Sequence, residues 1–190
     1  MKTLVCSVVF ASMFFAGCSK PTAEEYFARA QKSYGLVQRQ ADTLKNQQQL
    51  PDLFTPVMAE YEELISQHPA SKEAETAMFL VATIQNNDLH QYQPAIDAYR
   101  RYVQHYPEGK QAPLAMFMMG YLYNNELRLL DSAASAYKRF LEKYPNSEMA
   151  ASAKFELETL GKSPEELVPK EVVAEKPSPK APKKAPKGKK

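Results

Sequence analysis

Three nine-residue segments of this chain repeat one another in a fixed register. They are YEELISQHP from Tyr61 to Pro69, YRRYVQHYP from Tyr99 to Pro107, and YKRFLEKYP from Tyr137 to Pro145, which sets a 38-residue period. The register continues downstream without a gap. Ala74, Ala112 and Ala150 align, as do Ala77, Ala115 and Ala153, and then Phe79, Phe117 and Phe155. A fixed period of this length means stacked supersecondary units, none of which can bury its apolar face alone. Stacks of this kind bind other proteins far more often than they do chemistry.

The units are expected to be helical. The chain has 190 residues with only six Gly and no Trp, and Ala, Leu, Glu, Lys and Gln are abundant, a balance that favours helix. A first helix should start after Thr22, which can form a capping box with Glu25. Its apolar or small residues fall at Ala23, Phe27, Ala30, Tyr34, Val37, Ala41 and Leu44, in alternating steps of four and three. That stripe predicts a helix to about Gln47, ended by Gln-Leu-Pro51. It suits either an intermolecular coiled coil or a cap packed onto the first full repeat. A second helix is predicted from about Pro56 to Gln67. Helices over 72–86, 94–106, 110–125, 132–144 and 147–160 should follow, with Gly161 closing the last. Pro56 and Pro94 occupy equivalent places read as first-turn positions, where a missing N–H is not needed. Pro69, Pro107 and Pro145 stop each second helix of a pair. Gly120, Ala82, Ala95 and Ala133 mark places where two helices must approach closely.

The large, small and aromatic positions within each pair, followed by a closing Pro, resemble the tetratricopeptide repeat (TPR). The fold class expected is therefore all-α, an antiparallel helix-pair solenoid over residues 23–162. The usual TPR period is shorter, about 34 residues. Most of the excess lies between the Pro and the next helix, in Pro-Asn-Ser-Glu-Met-Ala-Ala-Ser-Ala. This Tyr-Pro-x-Ser-x-x-Ala-x-x-Ala-x-Phe variant is similar to the repeats of two bacterial envelope families, the lipoprotein of the outer-membrane β-barrel assembly machine and the Tol–Pal-associated TPR protein. By position, the resemblance implies a protein-binding groove lined by Phe79, Thr83, Asn86, Phe117, Tyr121 and Asn124. Asn86-Asn87 and Asn124-Asn125 recur one period apart. They suit either a left-handed helix end or a clamp on a peptide backbone. Met116 and Met119 sit at large core positions of the repeat; Met118 is open to either a core or a surface role.

The two ends of the chain differ in kind from the repeats. Lys2 followed by an apolar run from Leu4 to Ala16 reads as a targeting segment over 1–17, too short to span a bilayer comfortably. Its end, Phe15-Ala16-Gly17-Cys18, resembles a bacterial lipobox, whose Cys carries diacylglycerol and an N-acyl chain such as palmitate. The other reading is a plain signal peptide. On the lipobox reading, residues 18–22 are a lipidated tether, anchored by its acyl chains. By resemblance to enterobacterial lipoproteins, Ser19 in place of Asp favours transport to the outer membrane. Residues 18–163 hold 15 Lys+Arg and 18 Asp+Glu, net −3, whereas 164–190 hold eight Lys and four Glu, net +4. The segment 163–190 has six Pro and is expected to be disordered.

Catalytic and metal chemistry find no support. Cys6 falls in the apolar leader and, on the lipobox reading, Cys18 would carry lipid, so no thiol would remain for a disulfide, a metal or a nucleophile. His68, His90 and His105 are not at metal-ligand spacing, and no phosphate-cradling glycine loop is present. The chain is thus expected not to be an enzyme and to need no cofactor beyond a covalent lipid on Cys18. The reading is a TPR scaffold, lipid-anchored at the periplasmic face of an outer membrane. Its partners would be envelope proteins of barrel assembly or of Tol–Pal type, not nucleic acid. The alternative is a tether whose basic tail reaches peptidoglycan or another anionic surface.

Overall fold

A computed structural model describes residues 20–44, 47–162 and 166. The leader, Cys18 and the tail beyond Lys162, Glu166 excepted, lie outside the described residues. All regular structure among the described residues is helical. The helices are α1 (Ala23–Ala41), α2 (Leu50–Gln67), α3 (Lys72–Thr83), α4 (Tyr92–His105), α5 (Ala112–Asn125), α6 (Leu130–Lys143) and α7 (Ala150–Thr159). A short 3-10 turn, Gln47–Gln49, precedes α2, and a π turn, Ile84–Asp88, extends α3. The chain divides into two compact units at residues 81 and 82.

In the first unit α1 packs on α2. Its start is the expected capping box, with the Glu25 N–H donating to Thr22 Oγ1 and the Thr22 N–H to Glu25 Oε2. The apolar stripe faces α2: Ala30 is fully buried, Phe27 lies 6.3 Å from Tyr61 and Tyr34 6.2 Å from Phe54, centroid to centroid. Arg29 bridges to Glu60 and Glu63, and Ser33 donates to Glu60. The helix ends at Ala41, not Gln47. Asp42, Thr43 and Leu44 turn back on Gln38, Gln40 and Ala41, and the polar run that follows has no apolar residue to hold a further turn.

Helix α2 also departs from expectation. It starts at Leu50, so Pro51 opens this helix instead of ending the previous one, and Pro56 sits inside it. An interior Pro removes one ladder hydrogen bond and crowds the preceding turn, at a cost of about 3 kcal/mol. The extra turns are held by burial: Leu50, Phe54, Val57, Tyr61 and Leu64 form one inward stripe. Pro94, its partner in the repeat, does lie in the first turn of α4.

The second unit contains α4 to α7, with α5 against both α4 and α6, and α6 against α7. The repeat period is written into the backbone turns. After each closing Tyr-Pro or His-Pro, an N–H bonds back three residues: Ser71 to His68, Gly109 to Tyr106 and Ser147 to Tyr144. Gly120 allows a close approach of the Tyr137 ring. A Cβ there would stand 2.7 Å from Tyr137 Cε1, nearer than real Cβ atoms come. Ala82, Ala95 and Ala133 are fully buried, and Met116 and Met119 are core, while Met118 is half-buried. Gly161 closes α7 with φ +76°.

The asparagines do not supply left-handed helix ends. Those conformations fall at His90 (φ 52°) and Arg128 (φ 56°), again one period apart. Each is wrapped by the same pair of widened bonds: Leu89 to Ile84 and Gln91 to Gln85, then Leu127 to Leu122 and Leu129 to Tyr123.

Candidate functional site

The residues that resemblance assigns to a groove do not share one environment. Phe79 is half-buried on α3, in the first unit. The other five belong to the second unit and can be compared with one another.

Thr83 and Asn86 are turned toward α4. Both side chains hydrogen-bond the Tyr99 hydroxyl, and the Asn86 amide also donates to Asn87 Oδ1 at 2.8 Å. Burial raises the Tyr99 hydroxyl pKa above its ordinary value, and the two hydrogen bonds partly offset this.

Phe117 is half-buried and belongs to the packing as much as to any groove. Its ring lies 5.7 Å from Tyr137 and 6.0 Å from Phe140, the second edge-on. Such pairs contribute about 0.5–1.5 kcal/mol beyond their buried area. Asn124 donates to Glu156 Oε2 at 3.1 Å and so ties the end of α5 to α7. Asn125 donates to the Tyr121 carbonyl at 3.1 Å. Tyr121 alone of the six has an exposed ring, 37% accessible.

Two residues of α7 not named as groove candidates also belong to the second unit. Phe155 stands on α7 one period after Phe117, but no described helix follows to cover it, and it is 57% exposed. Its signal was in the sequence: the 79–117–155 register marks it as a large apolar position. Glu156, the carboxylate that holds Asn124, had no sequence signal. Its charge also acts on Tyr137, whose hydroxyl pKa is pushed well above the ordinary range, first by burial, then by Glu156 and Tyr121. The surface of α5 and α7 thus offers an exposed phenol, an exposed phenyl ring and a carboxylate.

The histidines have structural places. His68 Nε2 lies 3.1 Å from the Pro21 carbonyl and its ring packs at a tilt against Tyr26, while His90 sits at the left-handed helix end. Among the described residues no group of three His, Cys, Asp or Glu is placed to hold a metal ion, and no helix is long and apolar enough to cross a membrane.

A tetratricopeptide-repeat family model matches residues 76–109 and 114–147. The chain carries TPR repeats. The first span takes in most of α3 with the whole of α4, the second most of α5 with the whole of α6. The two spans start one period apart and leave residues 110–113 between them, which is where the excess over the usual repeat lies. No curated protein matches the chain. TPR repeats are interaction modules, so the general function that follows is protein–protein scaffolding.

Proposed function

We propose that the chain is a lipid-anchored adaptor of a bacterial envelope, held at the periplasmic face of the outer membrane through Cys18. Its TPR repeats receive an extended segment or a helix of another envelope protein, in outer-membrane barrel assembly or in Tol–Pal-type constriction. The observation that carries the binding surface is the exposure of Tyr121 on α5 and of Phe155 on α7, two helices of the second unit tied by the Asn124–Glu156 hydrogen bond. Both rings are left in solvent where the repeat elsewhere covers them or replaces them with smaller groups. Exposed aromatics beside a carboxylate suit a partner segment with apolar and basic residues, because the rings supply buried area and Glu156 fixes register. The anchor rests on Phe15-Ala16-Gly17-Cys18 and on the apolar run before it.

In-cell crosslinking tests this reading, with a photoreactive residue at Tyr121 and mass spectrometry of the product. A discrete adduct with an envelope protein is the expected result, and one that is lost when Phe155 is changed to Ser places Phe155 in the same interface. Adducts formed only from a probe in 164–190 would replace the adaptor with a tether whose eight lysines engage an anionic surface. Retention of the full chain in the soluble fraction after Cys18→Ala, with the native chain in the membrane fraction, is expected if Cys18 carries the anchor.

A further inference from the structure

The second unit holds a recessed site on a different face of α5 from Tyr121. A cavity of about 300 Å³ opens between Arg100 of α4, the α5 residues Met116, Met119 and Tyr123, and one side of α6. An α-helix turns ~100° per residue. On that wheel Met116, Met119 and Tyr123 cluster together, and Phe117, Tyr121 and Asn124 cluster well over a quarter turn away. The cavity and the proposed partner surface therefore do not share side chains on α5.

Its chemistry is organised in layers. The floor is apolar: Met116, Met119 and Ala136 are buried, and thioethers adapt to apolar groups of varied shape. The rim is polar and carries two guanidinium groups. That of Arg100 is already oriented, because Nη1 donates to Asp97 and Nη2 donates to the Tyr123 hydroxyl at 3.0 Å. Arg139 comes from α6, two turns after Ser132 and one after Ser135, and is exposed. Asp131, Ser132 and Ser135 lie in the first turns of α6, whose N-cap, Leu129, makes no side-chain capping bond. Asp97 offsets Arg100 and Asp131 lies on the rim, which leaves Arg139 as the rim guanidinium not paired with a carboxylate. That balance suits a monoanion and disfavours a dianion such as phosphate, which would meet Asp131.

We propose that this cavity binds an amphiphilic carboxylate, its apolar group on Met116 and Met119 and its carboxylate between Arg100 and Arg139. The size suits one branched or short-chain apolar group, at the low end of the range for ligand cavities. A planar carboxylate matches the forked donors of Arg, and the hydroxyls of Ser132 and Ser135 can bond the adjoining polar atoms. The same chemistry is presented by the last residue of a peptide chain and by a free short-chain acid. The site does not depend on the Tyr121 surface.

The test is a titration of the full chain labelled at its methionine methyl groups, followed by NMR. The probes are N-acetyl-leucine, which imitates a chain terminus, and hexanoate, a free acid. N-acetyl-leucinamide and inorganic phosphate are the controls. The methyl signals of Met116 and Met119, assigned by substitution to Leu, should move with one or both carboxylates and stay in place with the controls. The tighter of the two identifies the source. Arg139→Gln, at an exposed position, should weaken binding about tenfold, as expected for loss of a charge-assisted hydrogen bond. Tyr121→Ala should leave the titration unchanged. The proposal fails if no methyl moves, if the neutral amide or phosphate moves the same signals equally, or if Arg139→Gln binds as well as the native chain.

Discussion

Tyr99 and Tyr137 occupy the same place in successive repeats, yet their surroundings are arranged in opposite ways. Both rings are buried on the second helix of a pair. Around Tyr99 the first helix turns Thr83 and Asn86 inward, and both hydrogen-bond the phenol. Around Tyr137 the corresponding residues are Tyr121 and Asn124, and neither bonds it; Tyr121 lies in solvent and Asn124 reaches on to Glu156. The Tyr137 hydroxyl is buried with no hydrogen-bond partner. Gly120 lets its ring rest on bare backbone, whereas Ala82 stands at that position one repeat earlier. One repeat directs its polar side chains to its own core and the other turns them outward. The outward arrangement leaves an unsatisfied hydroxyl beneath it and, on the proposed function, frees Tyr121 for a partner.

The comparison extends to Tyr61, the same position in the first unit, which also has a buried hydroxyl without a partner. Its pKa is pushed up from 10.0 to about 12, chiefly by burial and secondarily by Glu60. A raised folded-state pKa favours the protonated form, so the unfolded chain loses its proton first as pH rises. The associated stability is complete below pH 10 and disappears between about 10 and 12, at up to about 1.4 kcal/mol per pH unit. Urea unfolding across that interval should show a loss of roughly 2 kcal/mol attributable to Tyr61, after allowance for solvent screening. Tyr61→Phe should flatten that slope. A slope identical in the variant would mean that the phenol titrates normally and is not held in the protein.

The next effect is steric. Gly120→Ala gains about 1 kcal/mol of helix propensity but forces the Tyr137 ring out of its seat, an overpacking cost of about 1–3 kcal/mol. A net loss of about 1 kcal/mol is expected, and it should vanish or reverse when combined with Tyr137→Leu. A double-mutant cycle with no coupling would show that the close contact is not what Gly120 serves.

How much of this was readable in the sequence differs between backbone and side chain. The closing prolines, the buried alanines and Gly120 follow from the repeat register, because each answers a packing demand that recurs in every copy. Pro56 was misread for the same reason. The register equates it with Pro94, but the stripe Leu50–Phe54–Val57–Tyr61 supplies enough apolar burial to carry the helix through it. The left-handed ends at His90 and Arg128 were missed because neither residue type announces that conformation as Gly would. The groove assignments were least readable. Thr83, Phe117 and Asn124 lie on first helices of a pair and Asn86 in the turn that extends α3, but their partners, Tyr99, Tyr137, Phe140 and Glu156, come from side-chain choices that vary from copy to copy.

The partnered tyrosine supplies a smaller test. Tyr99→Phe removes the hydroxyl shared by Thr83 and Asn86 and should destabilise the protein by about 1 kcal/mol. If the loss is instead near zero, the two side chains find other partners at no cost, and the inward arrangement of that repeat is not a source of stability.

Tyr137→Phe should have the smallest effect and the opposite sign. The phenol oxygen leaves water on folding and receives no protein hydrogen bond in exchange, so its removal deletes a desolvation penalty and keeps every ring contact with Phe117 and Gly120. Stability should be unchanged or rise by up to about 1 kcal/mol in the same urea series. Binding to the Tyr121 surface adds a second reading of the variant. A partner that bonds the Tyr137 hydroxyl through the groove would bind the Phe variant less tightly, although the free protein is no less stable. Loss of stability without any partner present would mean that Glu156 or Tyr121 already satisfies the hydroxyl, and the contrast between the two repeats would then collapse to a difference in ring packing alone.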